Sequence, residues 1–121
     1  MADFEEMQSR TKRFALRIVK LYRSLPKSDE ARILGKQLLR SGTSIGANYR
    51  AACRARSRAE FIAKLGIVLE EADETAFWLD LIGESGIFPE TKLRDIVQEA
   101  RELVSIFVAS VRTAKGFTSS I

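Results

Sequence analysis

Residues 40–50 read RSGTSIGANYR: two glycines, three small hydroxyl residues (Ser41, Thr43 and Ser44), and an arginine at either end. As a phosphate-cradling loop the stretch would belong to a nucleotide-binding α/β protein. As the middle of a helix it makes the chain all-α. A P-loop needs G-x-x-x-x-G-K-[ST] after a strand, because backbone amides wrap the phosphate while the lysine reaches the outer one. Here the spacing is Gly42-x-x-x-Gly46, Ala47 stands where the lysine should be, and no strand-like alternation precedes it. Helical periodicity instead passes straight through, with Leu34, Leu38, Ser41, Ile45, Asn48 and Ala52 on one face. Gly35, Gly42, Gly46 and Cys53 align along one edge of that face. Each glycine costs about 1 kcal/mol of helix propensity against alanine. Their alignment therefore predicts that a neighbouring backbone or large side chain comes close there, the alternative being a kink near residue 42.

Working outward, three further segments show the same period, and punctuation separates them. Phe14, Ile18, Leu21 and Leu25 define a helix over 4–24, closed by Leu25-Pro26. Ser28-Asp29-Glu30 caps a second helix, expected over 29–56. Ser57 and Glu60 form a capping box for a third over 58–84, whose face is Phe61, Leu65, Val68, Ala72, Thr75, Leu79 and Ile82. GESGIFPE at 83–90 breaks the chain, and Pro89 suits the first turn of a fourth helix over 89–115. Leu93, Ile96, Ala100, Leu103, Phe107, Val111 and Ala114 form its face, Gly116 stops it, and the tail FTSSI is expected to fray. Four amphipathic helices with short connections place sequential neighbours antiparallel. The expectation is one domain over 1–121: an all-α, antiparallel up-down-up-down left-handed four-helix bundle, with axes crossing at about +20°.

Composition excludes much chemistry. The chain has no histidine, so the commonest general base and metal ligand are missing. Its single cysteine, Cys53, can form neither an internal disulfide nor a Cys-based zinc cage. Glu70, Glu71, Asp73 and Glu74 scatter around their helix and lack the Glu-x-x-His pairs of a di-iron bundle. No catalytic residue, metal or cofactor is expected, and the chain reads as a non-enzyme. No apolar run approaches the ~20 residues of a membrane span. A cytoplasmic protein without a membrane partner is the expectation.

Charge is unevenly placed around a net +4. Residues 31–59 carry Arg32, Lys36, Arg40, Arg50, Arg54, Arg56 and Arg58 and no acid, whereas residues 60–102 are dominated by Asp and Glu. Helical projection gathers Arg32, Lys36, Arg40, Arg50 and Arg54 on the side away from the core, with Arg58 continuing the stripe over about 33 Å. Such a stripe can track phosphates with salt-sensitive, sequence-independent affinity. It lacks the interleaved aromatics of single-strand binders. Solvation, or pairing with the acidic half of the same chain or of another copy, is the competing reading. Ile67, Phe77, Trp78 and Leu81 lie outside the main seam of the third helix, and such a patch points to self-association.

The chain also resembles a family of small bacterial four-helix bundle proteins first noticed as products of intervening sequences in 23S ribosomal RNA genes. LLRSGTSIGANYRAA at 38–52, SRAEFIAKL at 57–65 and EEADETAFWLDLI at 70–82 carry the resemblance. Many relatives follow the asparagine with Ile-Ala-Glu-Gly, where this chain has Tyr49-Arg50-Ala51-Ala52. The resemblance implies a left-handed bundle, ring-shaped homo-oligomers (typically pentamers), no known enzymatic activity and no cofactor. Related accessory proteins of diversity-generating retroelements are basic rings that bind nucleic acid. On that likeness the expected partners are other copies of the chain and nucleic acid, RNA foremost, with a protein partner as the alternative.

Overall fold

The structure, a computed structural model, describes residues 3–116. Four helices follow one another: α1 (Asp3–Ser24), α2 (Asp29–Cys53), α3 (Arg58–Glu84) and α4 (Glu90–Lys115). No strand occurs among the described residues, and the fold is an all-α four-helix bundle. The tail 117–121, expected to fray, lies outside the described residues.

Local chemistry sets the helix ends. Ser28 Oγ accepts from the Ala31 amide at 3.3 Å, and Asp29 and Glu30 sit in the first turn of α2, where the helix dipole favours acids. Ser57 Oγ accepts from the Glu60 amide, while Glu60 reaches back to the Arg56 amide. At the far end of α4, Gly116 adopts the left-handed conformation (φ 79°) that lets its amide reach the Arg112 and Thr113 carbonyls. The largest departure from the expected boundaries is in α2, which closes at Cys53, not at 56. The capping box at Ser57 needs extended backbone at its cap residue (φ −152°, ψ 161°), and the chain must leave the helix before that point to provide it.

Contacts along α1 and α2 show that they run antiparallel, since Gly35 meets Tyr22, Gly42 meets Ile18 and Gly46 meets Thr11. The stretch 40–50 is uninterrupted helix, so the chain does not break at residue 42. A Cβ placed on Gly42 would lie 2.8 Å from Ile18 Cγ1, and one on Gly35 would lie 2.9 Å from Leu25 Cδ1. These two glycines let α1 side chains press onto the α2 backbone. At Gly46 it is the α1 backbone itself that draws near: a Cβ there would stand 3.4 Å from Thr11 C and O.

One continuous core runs through the bundle, from Phe14 and Ile18 of α1 through Leu38 and Ile45 of α2 and Val68 and Leu79 of α3 to Leu103 and Phe107 of α4. Phe4, Tyr49, Phe61 and Phe107 gather at one end, with ring centroids 5.5–6.5 Å apart in the pairs Phe61–Phe4, Phe4–Tyr49 and Tyr49–Phe107. They come from the start of α1, the end of α2, the start of α3 and the end of α4, which fixes the up-down-up-down order. Sequential helices pack along their length, whereas α1 and α4 approach only locally. Arg10 bridges that looser seam, donating Nε and Nη2 to the two Glu99 carboxylate oxygens at 2.8 Å each and Nη2 to Glu102 at 2.9 Å.

Candidate nucleic-acid interface

The close approach of α1 and α2 makes a trough on their shared outer surface. Its floor is small because Ala15, Gly46 and Ala47 project little or nothing into it. Its rims are polar: Gln8, Ser9 and Lys12 from α1 face Thr43, Arg50 and Arg54 from α2, with Glu5 the one acid. The opening measures about 470 Å³. By the same antiparallel register that sets Gly35 beside Tyr22, exposed Lys36 lies level with Leu21 of α1 and extends the α2 rim beyond the trough.

The structure divides the six cations of the expected stripe into two sets. Arg40 is committed: it pairs with Glu71 at 3.2 Å and with Glu74, both on α3. Arg32 is held by Asp29 one turn earlier in α2 and by the Lys27 carbonyl. Arg58 does not continue the stripe, because the chain turns between Cys53 and Ser57 and carries it to α3. There its Nε and Nη2 donate to the Ala114 carbonyl at 3.1 and 2.6 Å, closing the last turn of α4. A guanidinium at that end also suits the negative pole of the helix. Lys36, Arg50 and Arg54 are exposed and make no ion pair among the described residues.

Sequence reasoning overlooked the α1 rim. Residues 7–28 carry Arg10, Lys12, Arg13, Arg17, Lys20, Arg23 and Lys27 without one acid. That is the same signal that drew attention to 31–59, and it was available. Of these, Arg10 is committed to Glu99 and Glu102, and Lys12 opens onto the trough. Glu99 holds the Arg10 proton more tightly than usual, against a smaller opposing effect of burial. Glu102 in turn is held below the ordinary carboxylate range by hydrogen bonds from Gln98 and Arg10.

The apolar set on α3 is also divided. Phe77 is 57% exposed and Ile67 38%, whereas Trp78 and Leu81 are half-buried. Trp78 stacks edge-on against Phe77 at 5.0 Å, and its indole nitrogen is enclosed without an acceptor among the described residues. Leu16 and Ile33, at 60% and 63%, are further exposed apolar side chains that the helical pattern had not singled out. Glu70, Asp73 and Glu84 share with Phe77, by helical spacing, the exposed stripe of α3 and form no ion pair among the described residues. No group of acidic or cysteine side chains among the described residues is arranged to hold a metal ion, and no described helix is long and apolar enough to cross a membrane.

Comparison with known proteins places this geometry. A family model described as 23S rRNA-intervening sequence protein matches residues 5–109. Among solved structures, a protein of unknown function from the S23 ribosomal protein family of Bacteroides thetaiotaomicron VPI-5482 superposes with a TM-score of 0.83. The two share 38% sequence identity over 90% of this chain and 97% of that one. No curated protein matches.

Proposed function

The chain belongs to the 23S rRNA-intervening sequence protein family, and from that premise we propose that it is a non-enzymatic, cytoplasmic homo-oligomer that binds RNA through the outer face of α1 and α2. One observation carries the reading: Lys12, Lys36, Arg50 and Arg54 follow one face with their charges unspent, while Arg10, Arg32 and Arg40 of the same helices are tied to acids. Unspent cations in a row release condensed counterions when they meet phosphates, and that release drives affinity. Several copies of the face in one assembly would multiply a weak contact by avidity. The partly bare Phe77 and Ile67 lie on α3, diagonal to α1, and leave the cationic face free when copies join there.

Fluorescence anisotropy with a structured RNA at low salt tests the binding, and native mass spectrometry tests the assembly. Affinity that falls steeply with added salt, in a particle heavier than one chain, supports the proposal. Absence of binding at low salt ends it. A second reading has its own motivation in the acids around Phe77: the protein is a scaffold whose basic face pairs with the acidic α3 of a neighbouring copy. Charge reversal at Arg50 would then break the oligomer, and RNA would leave its mass unchanged.

A further inference from the structure

Resting on the RNA-binding reading, we propose that the α1–α2 trough is built for a double helix of RNA and not for a single strand. Three features of the face point the same way.

The first is rigidity. Cations stand on two helices packed side by side, Lys12 on α1 and Lys36, Arg50 and the cap residue Arg54 on α2, with the helices locked by Gly42 against Ile18 and Gly46 against Thr11. Packed helix axes lie about 8–10 Å apart, and residues 36–53 of α2 span roughly 26 Å, with Arg54 as the cap residue at its end. A fixed two-rail array loses little entropy in meeting a stiff polyanion of two phosphate rows. A flexible strand must be ordered to match it.

The second is the absence of stacking surface. Single-strand binders place aromatic rings between their cations so that unpaired bases can stack. Here no aromatic ring lines the trough: Phe14 and Tyr49 are buried in the core, Phe4 packs against Tyr49 and Phe61, and the trough floor is alanine and glycine. Unpaired bases would find no surface to replace the stacking they lose.

The third is the chemistry between the rails. Gln8, Ser9 and Thr43 line the trough, and the Thr43 hydroxyl already donates to the Leu39 carbonyl at 2.7 Å, leaving its oxygen as an acceptor. An acceptor beside phosphate-binding cations suits the 2′-hydroxyl, the group by which a protein distinguishes A-form RNA from DNA. Recognition of this kind reads shape and is indifferent to sequence.

The test is anisotropy at several salt concentrations with three labelled probes of equal length: an RNA duplex, its isolated unstructured strand and the matching DNA duplex. The RNA duplex is expected to bind at least about tenfold more tightly than either alternative. The slope of log affinity against log salt should approach −3.6 if all four cations meet phosphates, at about −0.9 for each. Lys12→Gln and Arg54→Gln should each weaken duplex binding whatever its sequence and reduce that slope by about one. Both positions are exposed, so unchanged thermal melting will show that the variants remain folded. Equal or tighter binding of the single strand or of the DNA overturns the inference while leaving RNA binding intact. Failure of all three probes to bind at low salt removes the RNA-binding reading itself.

Discussion

Gly42 and Gly46 sit one helical turn apart in α2, yet the same substitution should act oppositely at the two positions. An alanine methyl at Gly42 would press within 2.8–3.2 Å of three atoms of Ile18, a fully buried, β-branched side chain with nowhere to move. Overpacking costs about 1–3 kcal/mol, more than the roughly 1 kcal/mol gained in helix propensity. At Gly46 the nearest atoms stand at 3.4 Å, ordinary contact distance, so the propensity gain remains. Gly42→Ala should thus lower the urea midpoint and Gly46→Ala should raise or preserve it. The alignment of these glycines was legible in the sequence as a groove. Which of them is crowded was not, because that depends on the α1 atoms facing each. A similar limit applies at Ser41 and Thr75: helical spacing put both on inner faces, but only the structure brings their hydroxyls to 3.0 Å inside the core. Thr75→Val removes one partner of that buried pair and should cost about 1 kcal/mol in urea unfolding.

Single side chains join whole helices at the end and at the middle of α4. Arg58 closes its last turn through the Ala114 carbonyl. Arg58→Ala should therefore speed amide exchange in the last turn of α4 and leave the middle of the helix protected. Arg10 fastens α1 to the middle of α4 where the two otherwise part. Arg10→Gln should destabilise the fold by about 1–2 kcal/mol, since the fork to Glu99 is charge-assisted and only partly exposed. The Glu102 arm of that fastening depends on pH. Because its folded pKa is lowered, its contribution is complete above the ordinary glutamate value of about 4.3 and fades as pH falls through the lower folded value. Wild type and Glu102→Gln should consequently differ most near neutrality and converge in acid, as urea titrations at several pH values would show. Helix existence and facing were readable from apolar spacing and caps, but the fates of Arg40 and Arg58 were not. Projection of one helix shows which way a side chain leaves the backbone. Long guanidinium side chains bend to whatever acceptor a neighbouring helix presents, here Glu71, Glu74 and the Ala114 carbonyl.

Across the whole molecule the charge asymmetry divides by helix: uncommitted cations concentrate on α1 and α2, and unpaired acids on α3. Partial cancellation through Arg40 accounts for only part of it. A bare Phe77 amid the acids gives α3 the makings of a contact between copies. Phe77→Glu should lower the native mass toward that of one chain while circular dichroism reports an unchanged helix content. The central claim is that RNA reads the unspent charges and ignores the spent ones. Two triple variants test it directly by anisotropy on one RNA duplex: Lys12→Gln, Arg50→Gln, Arg54→Gln against Arg32→Gln, Arg40→Gln, Arg58→Gln. Both remove three positive charges, so a difference between them reflects position and not net charge. The first set should flatten the salt slope by about 2.7 and abolish most binding at moderate salt, whereas the second should leave slope and affinity near those of the wild type. Equal losses from the two sets would contradict the account.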